Sequence, residues 1–172
     1  MHLGSIHGRG DGPQSKKLSE AEQEMVSPTQ RGPRVLFLCT GNSCRSQMAE
    51  AFARQHGLDA FSAGIEPAEH VHPLTIRVMA ERGIDISSAR PKHVDQFLSQ
   101  PFDAVITVCG DAEERCPTFP GDVHREHWSL PDPAKATGSE EEKLSIFRRV
   151  RDEIESRMQG FLARVGRDEK FR

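Results

Sequence analysis

The sequence predicts an α/β fold, a flavodoxin-like three-layer sandwich in which a four-stranded parallel sheet has helices on both faces. Short apolar runs alternate along the chain with longer segments whose apolar residues recur at helical spacing. Strands separated by helices need crossover connections, which make the strands parallel and cover both faces of the sheet. The chain has 172 residues, enough for one domain of this kind. We place that domain at residues 34–172, after a flexible N-terminal extension at residues 1–33 that is rich in polar residues and glycine.

The four predicted strands are residues 35–38, 60–62, 104–108 and 123–128. The first is a continuous apolar run and the third is rich in β-branched side chains, whereas the other two have weak patterns. Cys39 and Cys109 directly follow the first and third strands. Because ligands of parallel sheets bind beyond the carboxyl ends of the strands, we expect both cysteines in one crevice.

The predicted helices are residues 45–56, 73–82, 93–98 and 139–165. The second has Pro73 in its first turn and Gly83 after its end, a typical arrangement for helix boundaries. The last and longest begins with Ser139 and Glu142 at the spacing of a capping box. Its apolar residues repeat at helical spacing, so we expect it to bury one face against the sheet.

Composition argues against several classes of function. The net charge of −3 gives no support for nucleic-acid binding, which usually needs a basic face. No apolar run approaches the roughly 18 residues of a membrane span, so we expect a cytoplasmic protein without a membrane partner. The four cysteines, in such a compartment, favour reduced thiols or transient redox chemistry over permanent disulfides. They also lack the close ligand pairs of structural zinc sites, and we expect no metal.

The loop between the first strand and the first helix is the most informative segment. Cys39 follows the strand, and Arg45 begins the helix six positions later. Loop N–H groups and the helix N-terminus bind tetrahedral oxyanions, and an arginine fork holds two oxygens at once. The same positive field should lower the pKa of Cys39 and make it a nucleophile. We predict an oxyanion site formed by Thr40, Gly41, Asn42, Ser43, Cys44, Arg45 and Ser46.

Several residues are candidates for completing a reaction at Cys39. Ser46 can donate its hydroxyl to the thiolate, and Asn42 can adopt the left-handed backbone conformation that a tight loop needs. Asp132 lies between two prolines, where a rigid loop would suit a general acid but a simple turn is equally compatible. Cys109 and Cys116 suit thiol–disulfide exchange, or else are small buried side chains.

The segment Cys39-Thr-Gly-Asn-Ser-Cys-Arg-Ser-Gln-Met-Ala-Glu50 resembles the active-site loop of arsenate reductases built on the low-molecular-weight tyrosine phosphatase fold. The resemblance extends over residues 34–165. It continues through Ser62-Ala-Gly-Ile65, Gly83-Ile-Asp-Ile-Ser87, Cys109-Gly-Asp, Arg125-Glu-His-Trp128, Pro131-Asp-Pro-Ala134 and Phe147-Arg-Arg-Val-Arg-Asp-Glu-Ile154.

This resemblance implies an arsenate reductase of arsenic detoxification that needs no cofactor and uses thioredoxin as its reductant. The Cys39 thiolate would attack arsenate while Asp132 protonates the departing oxygen. Cys109 would then attack Cys39 and release arsenite, and Cys116 would move the disulfide to Cys109 and itself for reduction by thioredoxin. Cys44 has no redox role in the pattern. The catalytic residues implied are Cys39, Arg45, Cys109, Cys116 and Asp132.

Two other functions are compatible with the same motifs. A low-molecular-weight phosphatase would use the loop and the acid alone, with water resolving the covalent intermediate. The chain has no tyrosine, and Ala134 follows Asp132-Pro133. It therefore lacks aromatic residues that such phosphatases often place beside the substrate ring. A thiol-based arsenic or redox sensor would use the same thiols for signalling. The pair Cys109 and Cys116 favours the reductase.

One departure from the family pattern concerns a potassium site that some relatives have near the catalytic loop. Asn42 and Ser62 match two of its ligands, but Arg90 and Lys92 lie at or near the positions of a threonine and an acidic residue. A basic side chain there would repel the cation. We predict that Lys92 takes the place of potassium and that activity does not depend on it.

Overall fold

The computed structural model describes residues 32–167, and within them it confirms the predicted parallel sheet. The strand order is β2-β1-β3-β4, and every neighbouring pair is parallel. The strands are β1 (Arg34–Cys39), β2 (Asp59–Gly64), β3 (Ala104–Thr107) and β4 (His124–His127). The expected flexible extension at residues 1–33 lies outside the described range apart from Gly32 and Pro33, and it stays a prediction.

The helices of the described range are α1 (Arg45–Gln55), α2 (Pro73–Ala80), α3 (Gly110–Glu114) and α4 (Glu140–Arg167). Two short 3-10 turns lie at Val94–Phe97 and Pro133–Lys135. Helices α1 and α2 both pack against α4, whereas α3 packs against β1 and β3. Within residues 32–167, no helix combines the length and the hydrophobicity needed to span a bilayer.

The core forms around β1 and the inner face of α4, as their patterns predict. Residues 35–38 are fully buried between β2 and β3. The predicted serine cap also forms, because Ser139 Oγ accepts a bond from the Glu142 N–H at 3.1 Å; the Glu142 carboxylate accepts from the Ser139 hydroxyl at 3.2 Å, instead of from the backbone N–H of a full capping box. The buried side chains of α4 include Leu144, Phe147, Val150, Ile154, Met158 and Phe161.

The sheet brings the chemically active residues to one edge. Cys39 is the last residue of β1, and Cys109 follows β3 as the N-cap of α3. Since β1 and β3 are parallel neighbours, their carboxyl ends meet. Gly64 ends β2 beside the loop, where a Cβ would lie 2.6 Å from the Thr40 carbonyl oxygen. Only glycine therefore allows this close approach of β2 to the loop.

Candidate active site

Cys39 is buried at the start of the loop, and two donors converge on its sulfur. Ser46 Oγ lies 2.7 Å from Cys39 Sγ, and the backbone N–H of Asn42 donates to the same sulfur at 3.0 Å. Asn42 adopts the predicted left-handed conformation, with φ of 51°. This conformation turns its N–H back toward Cys39, so the loop supplies donors for a thiolate.

The expectation of a lowered pKa for Cys39 is wrong for this geometry. Burial raises the pKa of the Cys39 thiol above its ordinary value, because a thiolate here loses its hydration. The hydrogen bonds from Ser46 and Asn42 and the charge of Arg45 oppose this effect without outweighing it. The sequence showed the donors and the cation but did not show how completely the sulfur is buried.

Arg45 contacts the candidate acid Asp132, which the sequence places far away. Its NH1 donates to the Leu130 carbonyl at 2.9 Å, and its NH2 lies 3.8 Å from Asp132 Oδ2. Asp132 caps the following 3-10 turn by accepting from the Ala134 N–H at 3.0 Å, and Pro133 is buried. The carboxyl group is therefore held at the edge of the loop by its own turn.

Cys109 also lies beside the loop, as its place after β3 predicts. Thr40 Oγ1 is 3.3 Å from Cys109 Sγ, and it donates to Asp111 Oδ2 at 3.2 Å. The sulfur of Cys109 accepts from the Ala112 N–H at 3.4 Å and so caps α3. The side chain of Thr40 thus links the loop to α3, a role that the sequence did not indicate. No local spacing pattern could have revealed it, because the partners are about 70 positions apart.

Cys116 is half-buried and follows α3, and its sulfur contacts β4. Arg125 NH1 donates to Cys116 Sγ at 3.1 Å. All four cysteines are free thiols. The structure therefore places Cys39 and Cys109 at the same loop, whereas Cys116 is hydrogen-bonded to Arg125 on β4.

Lys92 lies in a polar network behind the loop. Its ammonium is 3.9 Å from Glu50 Oε2 and donates to the Arg90 carbonyl at 3.2 Å. The same Glu50 oxygen accepts from Ser62 Oγ, which in turn accepts from Asn42 Nδ2, each at 2.9 Å. Burial lowers the pKa of Lys92, and the Glu50 carboxylate opposes that shift. The Lys92 ammonium thus lies beside the Glu50 carboxylate, where it would repel a potassium ion.

Removing the hydroxyl nearest to Cys39 tests the electrostatics of the loop. In Ser46→Ala the Cys39 thiolate loses the hydrogen bond from the Ser46 hydroxyl. A hydrogen bond to a charged group is worth about 1.5–3 kcal/mol, so alkylation of Cys39 at neutral pH should slow about tenfold or more. The measurement is the rate of iodoacetamide labelling at Cys39 against pH, followed by peptide mapping. We expect the profile to move to higher pH. Ser145→Ala, at an exposed serine of α4, is the control, and a profile unmoved in Ser46→Ala would contradict the role of Ser46.

Comparisons with known proteins agree with the fold. Residues 34–171 match the family model of low molecular weight phosphotyrosine protein phosphatases. An arsenate reductase from Bacillus licheniformis is 52% identical over 130 residues, which cover 74% of this chain and 93% of the relative. A solved arsenate reductase in the oxidized state has a TM-score of 0.66 at 34% identity, covering 77% of this chain and 98% of that one. A thioredoxin-dependent arsenate reductase from Corynebacterium glutamicum has a TM-score of 0.59 at 31% identity, covering 82% of this chain and 64% of that one.

Proposed function

The chain belongs to the low molecular weight phosphotyrosine protein phosphatase family, and on this basis we propose that it reduces arsenate through a three-cysteine relay regenerated by thioredoxin. Its activity is that of an arsenate reductase, an oxidoreductase. The observation that carries the relay is the second thiol at the loop, Cys109, whose sulfur lies 3.3 Å from Thr40 Oγ1. The proposed setting is the cytoplasm, where thiols stay reduced.

In the first step arsenate binds in the loop of residues 40–46. The guanidinium of Arg45 has five N–H groups, and the Leu130 carbonyl accepts from only one of its nitrogens, so others remain for the oxyanion. Cys39 gives its thiol proton to water, and the resulting thiolate attacks arsenic and forms a sulfur–arsenic bond. Asp132 protonates the departing oxygen, which leaves as water. Arg45 NH2 lies 3.8 Å from Asp132 Oδ2, so an oxyanion bound by Arg45 would have this carboxyl group beside it.

In the second step Cys109 gives its thiol proton to water and attacks the sulfur of Cys39. A disulfide forms between the two cysteines, the sulfur–arsenic bond breaks, and its electron pair stays with arsenic. Arsenic(V) thereby becomes arsenic(III) and leaves as arsenite, while the two sulfurs together lose two electrons. The position of Cys109 at the loop supports this step because exchange requires access of one sulfur to the other.

In the third step Cys116 attacks Cys109 in the Cys39–Cys109 disulfide. A Cys109–Cys116 disulfide forms, Cys39 is released, and thioredoxin reduces the new disulfide. Helix α3 must open first. Cys109 and Cys116 flank α3 and are seven residues apart, about 10 Å at the helical rise, whereas disulfide-bonded Cα atoms lie within about 7 Å. Opening should cost little because α3 has five residues and buries only the side chain of Ala112.

A low-molecular-weight phosphatase is the second candidate function. Cys39, Arg45 and Asp132 would serve phosphate as well as arsenate, and the family model supports this reading. Slow phosphatase turnover is therefore expected beside reduction. Hydrolysis, however, has no use for Cys109, and the exposed Ala134 offers no aromatic surface next to the acid.

Single Cys→Ser variants test the relay directly. Turnover of arsenate with thioredoxin, thioredoxin reductase and NADPH should be lost in the variants of Cys39, Cys109 and Cys116, because each removes a sulfur that a step needs. NADPH consumption measures this. Cys44→Ser is the matched control and should remain active. Full activity in Cys109→Ser or Cys116→Ser would show that the relay is wrong.

Asp132→Asn tests the general acid while keeping the size of the side chain. Arsenite formation should fall about 10²–10⁴-fold, the usual contribution of a positioned acid. The measurement is arsenite released in a single turnover, with Asp95→Asn, at an exposed aspartate elsewhere, as the control. Wild-type rates in Asp132→Asn would remove Asp132 from the mechanism.

Exchanging the monovalent cation tests the role of Lys92. Replacing potassium by sodium at constant ionic strength should leave kcat and KM for arsenate unchanged, because the Lys92 ammonium already lies beside Glu50. The coupled assay in the two salts measures this. Strong activation by potassium would refute the assignment.

A further inference from the structure

Arg125 connects β4 to the segment that follows α3. Its NH1 donates to Cys116 Sγ at 3.1 Å, and its NH2 donates to the Pro117 carbonyl at 3.2 Å. The guanidinium is exposed and carried on a flexible stem, whereas its two acceptors are half-buried. One side chain thus holds both the sulfur of the third relay cysteine and the backbone next to it.

The hydrogen bond from Arg125 to Cys116 bears on thiol–disulfide exchange. The attacking species in thiol–disulfide exchange is the thiolate. An arginine is charged at every physiological pH, and hydrogen bonds from a charged donor to an anion are about twice as strong as those between neutral groups. A guanidinium bonded to a sulfur therefore interacts better with the attacking form than with the thiol.

We propose that Arg125 is a positioning residue of the relay, which holds Cys116 and supports its thiolate for the attack on Cys109. This inference rests on the proposed function. In the step concerned, Cys116 gives its proton to water and attacks the sulfur of Cys109 in the Cys39–Cys109 disulfide. The bond between Cys109 and Cys116 forms, the bond to Cys39 breaks, and Cys39 leaves as a thiolate. One disulfide replaces another, so the step needs no outside oxidant or reductant.

The double contact explains why Arg125 suits a moving cysteine. When α3 opens, Cys116 and Pro117 move together because they are adjacent in the chain. A guanidinium bonded to both can follow them on its flexible stem and keep its bond to the sulfur. A lysine at this position would keep the charge but lose the planar fork that reaches two acceptors.

The experiment follows the disulfides through a single turnover. Wild type, Arg125→Gln, Arg125→Lys and Cys116→Ser are mixed with arsenate, quenched at intervals and mapped without reduction. In Arg125→Gln we expect the conversion of the Cys39–Cys109 disulfide to slow about tenfold or more, the effect of losing a charged hydrogen bond. Arg125→Lys should recover part of the rate. In steady state kcat should fall while KM for arsenate stays the same, and Arg149→Gln, at an exposed arginine of α4, should behave as wild type.

The outcomes separate the inference from the function on which it rests. If Cys116→Ser does not accumulate the Cys39–Cys109 disulfide, the relay itself is wrong. If it does accumulate and Arg125→Gln converts the disulfide at the wild-type rate or faster, only the role of Arg125 is overturned. If Arg125→Gln and Arg125→Lys slow the conversion of the Cys39–Cys109 disulfide equally and also release the first arsenite more slowly, the defect is structural. That result would also overturn the role of Arg125.

Discussion

The hydrogen bonds of Asn42 hold together the segments that surround Cys39. Its backbone N–H reaches Cys39 Sγ, and its side-chain amide donates to Ser46 Oγ and Ser62 Oγ. Its side-chain oxygen accepts from the backbone N–H of Lys92 at 2.8 Å. The loop, the first turn of α1, the end of β2 and the segment around Lys92 thus meet at one fully buried side chain. A buried amide of this kind specifies geometry because each unsatisfied bond would carry a desolvation cost.

The two halves of the proposed chemistry place opposite demands on the structure. The first half needs a fixed loop, and the buried bonds around Cys39 and Asn42 provide one. The second half needs a movable segment, and α3 buries only Ala112 of its five residues, with an exposed ion pair of Arg115 with Glu66 at 2.9 Å just beyond its end. Exposed ion pairs contribute little to stability, so this one adds little to the free-energy cost of opening α3. The difference in burial divides the site into a rigid part and a mobile part.

The elements and the loop could be predicted because their signals are local. Apolar runs mark the strands, and the parallel sheet then places Cys39 and Cys109 at the same edge. The contacts of Arg45 with Leu130 and of Arg125 with Cys116 could not be predicted, since they depend on how loops of the folded chain meet. The protonation behaviour of Cys39 was mispredicted for a related reason. Donors and cations are visible in a sequence, whereas the depth of burial that outweighs them arises only in the packed molecule.

The bridge from Thr40 to Cys109 and Asp111 has a thermodynamic consequence. Thr40 belongs to the oxyanion loop, while its two partners lie at the start of α3. A ligand that strengthens or weakens the hydrogen bonds of Thr40 with Cys109 and Asp111 would change the free energy of opening α3. By reciprocity, opening α3 changes the affinity for that ligand by the same amount. A ligand of the loop that altered the hydrogen bonds of Thr40 would in this way couple its own binding to the unwinding of α3.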